Sequence, residues 1–167
     1  MPFMSKDDSR RLIVDTRISG GVVSPAMRTP DLIIGPRDNP QTLRWHLLRW
    51  RGWQLSLHKW CRSDEDRALH DHTGDSISLI LNYGYIEKTP YAAHWRPAWR
   101  PIFRKAEAPH RIILDADSAP VWSLWLRWPP RREWGFHCPK GWRHWRDFCA
   151  ERDYKASGTS TVGRGCD

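Results

Sequence analysis

The residues best placed to do chemistry are His70-Asp71-His72 and, further along, His110. On an extended strand, positions i and i+2 point to the same face, so His70 and His72 can present two imidazoles to one metal ion from one side. His110 opens a later strand after a Pro-containing approach and can supply a third nitrogen from across a barrel. Neutral imidazole is the commonest ligand for Zn, Fe, Cu and Ni. Three protein ligands leave coordination positions open for substrate, water or O₂. The chain has 8 His, so an H-x-H pair alone is a weak signal and packed imidazoles are the plain alternative. His58 and His94 read as packing or surface. Asp71 points away from the face of the two histidines and reads as structural.

Positioning such residues requires strands. Leu43 to Leu48 leads to the turn signal Arg51-Gly52, after which Trp53, Leu55 and Leu57 alternate with Gln54, Ser56 and His58, the period of a half-buried strand. Further strands are expected at Ser76–Leu81, Tyr85–Glu87, Ile102–Arg104, His110–Leu114 and Val121–Leu126, separated by turn residues. Many short strands at near-regular spacing predict a sandwich or barrel. Trp142, Trp145 and Cys149 fall at i, i+3 and i+7, with Phe148 beside them, which predicts one helix over 141–152 covering the barrel. Trp134 to Pro139 reads as a rigid cap over one barrel end, with His137 an outlying candidate for the site. Residues 1–40 read as an irregular arm with one or two edge strands, 41–153 as the barrel with its helix, and 154–167 as a flexible tail.

Composition bounds the function. The 167 residues suit one domain, and 12 Trp rule out a mostly disordered chain. The net charge of +8 favours anionic partners, although a solvated basic surface is the plainer reading. No apolar run approaches the ~18 residues of a membrane span, and Met1 to Leu12 lacks the apolar region of a secretory signal. The expectation is a soluble cytoplasmic domain without membrane contact. Cys61, Cys138, Cys149 and Cys166 show no C-x-x-C spacing and read as reduced thiols; a zinc site from His137, Cys138 and Cys149 has too little support. There is no P-loop, G-x-G-x-x-G, G-x-S-x-G or H-E-x-x-H, so ATP, NAD and serine-hydrolase chemistry have no footing.

The histidine stretch resembles the first motif of the cupin superfamily, H-x-H, three or four residues, Glu, six residues, Gly. Here His70 and His72 are followed by four residues, Ile77, six residues and Gly84, with Ile77 in the place of the acidic ligand. Of the second motif, Lys105-Ala106-Glu107-Ala108-Pro109-His110 keeps the His, and Leu114 replaces the Asn. The pattern is similar to cupins that bind metal through three His, such as the thiol dioxygenases related to cysteine dioxygenase. The longer run from Arg62 to Trp142 also resembles small cupin-like proteins of bacteria and their phages. The resemblance covers about residues 42 to 150 and implies an all-β double-stranded β-helix, a jelly-roll barrel. It also implies a divalent first-row metal on His70, His72 and His110, with Fe²⁺ the first choice and Zn²⁺, Ni²⁺ or Mn²⁺ the alternates.

Three neutral His leave the metal its full charge, which suits direct binding of an anionic substrate or polarisation of a carbonyl or water. Asp75 or Glu87 can stand in for the missing carboxylate; Glu87 reads equally as a cross-strand partner for an Arg. Arg67, just before the His pair, can grip a substrate carboxylate or phosphate, or pair with Asp64 or Glu65. Tyr85, Arg104, Trp125 and Arg127 are inner-face candidates by alternation. The expected function is a metal-dependent oxygenase or related enzyme of a small anionic substrate, with Glu87, Tyr85 and Arg67 as the catalytic candidates. The alternative is a non-catalytic binding or assembly protein, phage-associated, meeting nucleic acid or a protein through basic Trp/Arg surface. Cupins host both enzymes and inert binders, so fold does not choose between them. A homodimer is expected, because small cupins commonly pair and the arm offers spare strands for an edge.

Overall fold

The computed structural model describes residues 14–15, 28–35, 37–64, 68–115, 120–150 and 166. Along the chain run β1 (Val14–Asp15), β2 (Leu32–Ile34), β3 (Thr42–Trp50), β4 (Trp53–Trp60), β5 (Leu69–His70), β6 (Ser76–Ile80) and β7 (Gly84–Lys88). They are followed by β8 (Ala93–Pro97), β9 (Pro101–Arg104), β10 (Arg111–Ile113), β11 (Val121–Arg127), β12 (Gly135–Cys138), β13 (Gly141–His144) and the helix α1 (Trp145–Ala150). All the strand pairings are antiparallel, as expected of hairpins and longer returns rather than crossover helices. One wall is a seven-stranded sheet of order β1-β2-β3-β4-β11-β6-β9. The other consists of two three-stranded sheets, β10-β7-β8 and β13-β12-β5, joined where His70 and His110 form an isolated bridge.

Local chemistry sets the main register. Arg51 and Gly52 have φ of 44° and 85°, the paired left-handed geometry that a two-residue hairpin needs to match strand twist. This turn aligns β3 with β4 from Trp50↔Trp53 to Thr42↔Trp60, with a bulge between His46 and Leu48. At Gly84 a Cβ would lie 2.6 Å from the Arg96 carbonyl and from the Trp95 ring, so the close β7–β8 approach requires glycine there.

The alternation expected of β4 is present, but its polar face is the buried one. Gln54, Ser56 and His58 are buried, while Trp53, Leu55 and Leu57 are only half-buried. The reason lies across the sheet: Ser76 and Ser78 of β6 and Ser123 of β11 are also buried, so the barrel interior is hydrogen-bonding rather than greasy over much of its depth. An apolar cluster forms where Ile80, Ile102 and Val121 of the first wall meet Tyr85 and Ile112 of the second.

The C-terminal part differs from the sequence reading. Gly141–His144 is a strand, paired with β12 from Cys138↔Gly141 to Gly135↔His144, and the helix spans only Trp145–Ala150. The i, i+3, i+7 pattern therefore does not lie on one helix. Trp145 stacks on Trp134 at 5.7 Å and Phe148 on Phe136 at 3.7 Å, so a two-residue face anchors the helix to the β12 end. Trp142 instead sits on β13 and donates to Asp71 through its indole N–H at 2.9 Å. The segment read as a rigid cap is the strand β12, a member of the second wall.

The cysteines are also corrected. Cys138 and Cys166 form a disulfide, leaving Cys61 and Cys149 free. The separation of 28 residues is too wide for any short motif to reveal. Burial raises the Cys149 thiol to about 11, which makes it inert. Closing a loop of this length stabilises the fold by about 3.6 kcal/mol in the chain-entropy account. Cys166→Ser is therefore expected to lower the urea midpoint clearly, while Cys61→Ser, at an exposed free thiol, leaves it unchanged; equal midpoints for the two variants would refute the structural role of the bridge.

Candidate metal centre

The seam of the second wall is where the three histidines meet. His70 and His110 exchange two backbone hydrogen bonds, N to O at 2.9 Å and 3.0 Å. In such an antiparallel pair the two side chains project from the same face, directly opposite one another. β5 ends at His70, yet the chain stays close: His72 N–H donates to the Ala106 carbonyl at 2.9 Å, which keeps the i+2 ring beside the others. The ring centroids of His70, His72 and His110 are 4.9 to 5.3 Å apart. One ring nitrogen from each lies within 4.8 Å of the other two, and among the described residues this is the one such His/Cys/Asp/Glu group.

The hydrogen bonds around the rings fix their roles. His110 Nδ1 is 3.1 Å from the Ala108 carbonyl. A carbonyl only accepts, so Nδ1 carries the proton and Nε2 keeps its lone pair. Nε2 of His72 lies 3.3 Å from it. Two bare lone pairs at that distance repel; a proton on His72 or a cation shared by the rings resolves the conflict. The separation matches two nitrogens bound at ~2.1 Å to one ion. Behind His70, the Asp64 carboxylate lies 3.9 Å from Nδ1, held by the Ile112 N–H and the Gln41 amide, both at 2.6 Å.

The electrostatics favour neutral rings. Burial, then neighbouring positive groups (His70 and Arg104 for both rings), hold His72 and His110 well below the ordinary histidine value. Imidazole must be neutral to bind a metal, so the environment that disfavours a proton leaves the lone pair available. The donor set therefore fits a divalent first-row ion: three nitrogens on one face, with no competing thiolate.

The catalytic candidates fall elsewhere. Glu87 is buried and its carboxylate is taken by two guanidinium groups, Arg96 at 2.6 Å and Arg104. It does not join the imidazole group. The Tyr85 hydroxyl accepts from Arg104 at 3.0 Å, and Ser78 does so at 2.9 Å. Glu87 and Tyr85 thus come together around Arg104, whose field reaches His72 and His110. Asp75 lies apart, bonded to the Ala106 N–H, Lys105 and Arg131. Arg67 lies outside the described residues. Asp71 is fully buried and structural: it accepts from Gly135 N–H at 2.7 Å and Trp142 and pairs with Arg132 at 2.7 Å. His137 contacts Asp71 rather than the imidazole group. His94 is exposed on β8.

Sequence reading passed over Arg44, and it assigned His58 to packing or surface. Arg44 lies over the Trp125 ring at 5.0 Å, and His58 is buried with its Nε2 unpartnered. The available signal was the polar half of the β4 alternation, Gln54-x-Ser56-x-His58, which points to a polar lumen when the sheet's inner side is the polar one.

No protein-family profile matches the chain, and neither does any curated protein. Solved structures do. A mannose-6-phosphate isomerase-like protein of Ralstonia eutropha JMP134 shares 13% identity at a TM-score of 0.50, over 57% of this chain and 91% of that one. A cupin superfamily protein of Desulfitobacterium hafniense DCB-2 shares 17% identity at a TM-score of 0.45, over 53% and 78%. A cupin-2 domain protein of Shewanella frigidimarina NCIMB 400 shares 11% at 0.43, over 53% and 79%. Identities this low speak for the fold alone. The antiparallel walls and the likeness to the Ralstonia structure speak for the fold, a cupin-like β-barrel.

Proposed function

We propose that the chain is a metal-dependent cupin enzyme, an oxygenase or a related enzyme acting on a small anionic substrate, with a divalent first-row transition metal on His70, His72 and His110. Fe²⁺ is the first choice, with Zn²⁺, Ni²⁺ and Mn²⁺ as alternates. The observation that carries the reading is the convergence of three ring nitrogens within 4.8 Å. When bound, such an ion supplies Lewis acidity and, for iron, one-electron chemistry. The chain's own groups do the rest. His110 is oriented by the Ala108 carbonyl. Arg104, paired with Glu87, supplies fixed positive charge toward the site. Burial raises the Tyr85 phenol, so it stays protonated, and its oxygen is held by Arg104. Glu87 therefore acts by positioning Arg104.

The test is metal content and melting temperature. A metal present at a hundred times its Kd stabilises the folded state by about 2.7 kcal/mol, a shift of roughly 5–10 °C for a chain of this size. His72→Ala and His110→Ala are expected to weaken metal binding more than about 100-fold, beyond the loss typical of a merely supporting residue; His94→Ala should leave it intact. A wild-type protein with no melting shift for Fe, Mn, Co, Ni, Cu or Zn ions contradicts the reading. The alternative is favoured by the exposed Trp95 and Trp99 beside Arg96 and Arg100, and would then show as salt-sensitive nucleic-acid binding.

The proposal extends to a homodimer. The outward side of the seven-stranded wall carries Leu55, Leu57, Ile77, Leu79, Leu124 and Leu126, all only half-buried, an apolar face that a second copy would cover. Light scattering should give about twice 19.7 kDa; a monomer mass at high concentration contradicts it.

A further inference from the structure

Among the described residues, the inner side of the seven-stranded wall carries two arginines without a carboxylate partner, Arg44 and Arg127. Registry across β3, β4, β11, β6 and β9 places Arg44 opposite His58, His58 opposite Ser123, Ser56 opposite Trp125, and Gln54 opposite Arg127. Arg127 in turn lies opposite Ser76, and Ser76 opposite Arg104. Three arginines thus converge on one lumen, but they are not equivalent. Arg104 has Glu87. Arg127 has only neutral partners, the Thr73 hydroxyl at 2.7 Å and the Gln54 carbonyl at 3.4 Å. Arg44 has a buried Nε with no hydrogen-bond partner, and its guanidinium faces the Trp125 ring at 5.0 Å. The Arg127 guanidinium is 6.0 Å from the same ring.

Arg44 is half-buried, with its Nε shielded from water, and a cation so placed without an anion is costly unless something outside the fold completes it. Burial first, and then the Arg127 charge, pull Arg44 down to about 10. Further unspent polar atoms line the same face: Nε2 of His58, opposite Arg44, and the hydroxyls of Thr42 and of Ser76, the latter opposite Arg127, are buried without partners. Trp125 is the shared floor, 5.3 Å from the His58 ring and 6.0 Å from the ring of the metal-ligand candidate His72. Arg44, Arg127 and Arg104 all act on His72. The unmatched charge therefore adjoins the histidine cluster without being part of it.

We propose that Arg44 and Arg127, above Trp125, form an oxyanion subsite that receives the carboxylate or phosphate of a small ligand whose other end reaches the three histidines. This deepens the reading of the site as one for an anionic substrate and rests on it. The guanidinium groups bring planar donors suited to an oxyanion. Arg104 is already committed to Glu87 and sets the field without being the primary grip.

Chelator-treated full-length protein, titrated calorimetrically with malonate and separately with inorganic phosphate, tests the subsite. Binding of either probe is expected, and the stronger of the two identifies the acidic group. Arg44→Gln and Arg127→Gln should each weaken it at least tenfold, while the metal-induced melting shift persists. His72→Ala should abolish the metal shift and leave oxyanion binding in place. Arg44→Met guards against misfolding as the explanation: with an unpaired cation removed, it should melt no lower than wild type without added anion, yet fail to bind the probe. If neither probe binds, or if binding survives both arginine variants, the subsite is overturned. If the anion binds only when metal is present and is lost with His72→Ala, the anion sits on the metal; that outcome also overturns the subsite and leaves the metal reading standing. Arginine-dependent binding in a protein that takes up no metal supports the subsite and overturns the metal reading.

Discussion

Between pH 7 and pH 5 the metal-free protein is expected to lose stability steeply, by up to about 4 kcal/mol per pH unit where three histidines act together. His58, His72 and His110 are all held well below the ordinary value, by burial first, then by Arg44 for His58 and by His70 for the other two. In the unfolded chain they take up protons near pH 6.5. Below that pH the unfolded state binds more protons than the folded one, so stability falls as pH falls, until the depressed folded values are reached. His72 is half-buried by area and contributes the smallest share, whereas His58 and His110 are buried. The carboxylates act in a different window: Asp75 is lowered to about 2 by its bonds to Arg131 and Ala106, so its contribution is lost only well below pH 4. Urea unfolding at pH 7, 6 and 5 checks the expectation, and a flat profile would contradict buried neutral rings. Bound metal should raise stability across the range without flattening the profile, because it keeps the nitrogens of His72 and His110 free of protons in the folded state while the unfolded chain still takes them up.

The parts of this molecule legible in its sequence are those written in local chemistry. The Arg51-Gly52 hairpin, the alternations of β4 and β11 and the His70-x-His72 pair each depend on neighbours within a few residues. What was not legible depends on partners far along the chain. Whether Gln54-Ser56-His58 or Trp53-Leu55-Leu57 faces inward is decided by Ser123, Ser76 and Ser78, which line the same lumen from β11 and β6. Trp142 has helical spacing to Trp145, yet pairing of Gly141–His144 with β12 and the indole bond to Asp71 hold it extended. Tertiary pairing overrode a periodicity spanning barely two turns. The disulfide from Cys138 to Cys166 leaves no mark in spacing. His110 lies just before β10, close to where the sequence has a strand open, but its bridge to His70, the feature that brings the rings together, is a property of two chain segments meeting.

Glu87 has two readings in the sequence, a carboxylate for the metal and a partner for an arginine; the structure pairs it with Arg96 and Arg104, and its substitution has the largest single effect expected on the fold. Glu87→Gln keeps the shape and removes the charge, leaving Arg104 buried without its anion. Breaking a buried ion pair from one side costs about 3–5 kcal/mol, because the remaining charge has no solvent to turn to. Arg96 retains solvent access and adds little to that loss. Were Glu87 a fourth metal ligand, the same variant would instead lower metal affinity sharply and leave the metal-free protein nearly as stable. The arrangement of both carboxylate oxygens on guanidinium groups predicts the first result. Chemical denaturation of the chelated protein should show the loss, while metal titration gives the wild-type stoichiometry. The double variant Glu87→Gln with Arg104→Met should recover most of the lost stability, since it removes the stranded cation as well.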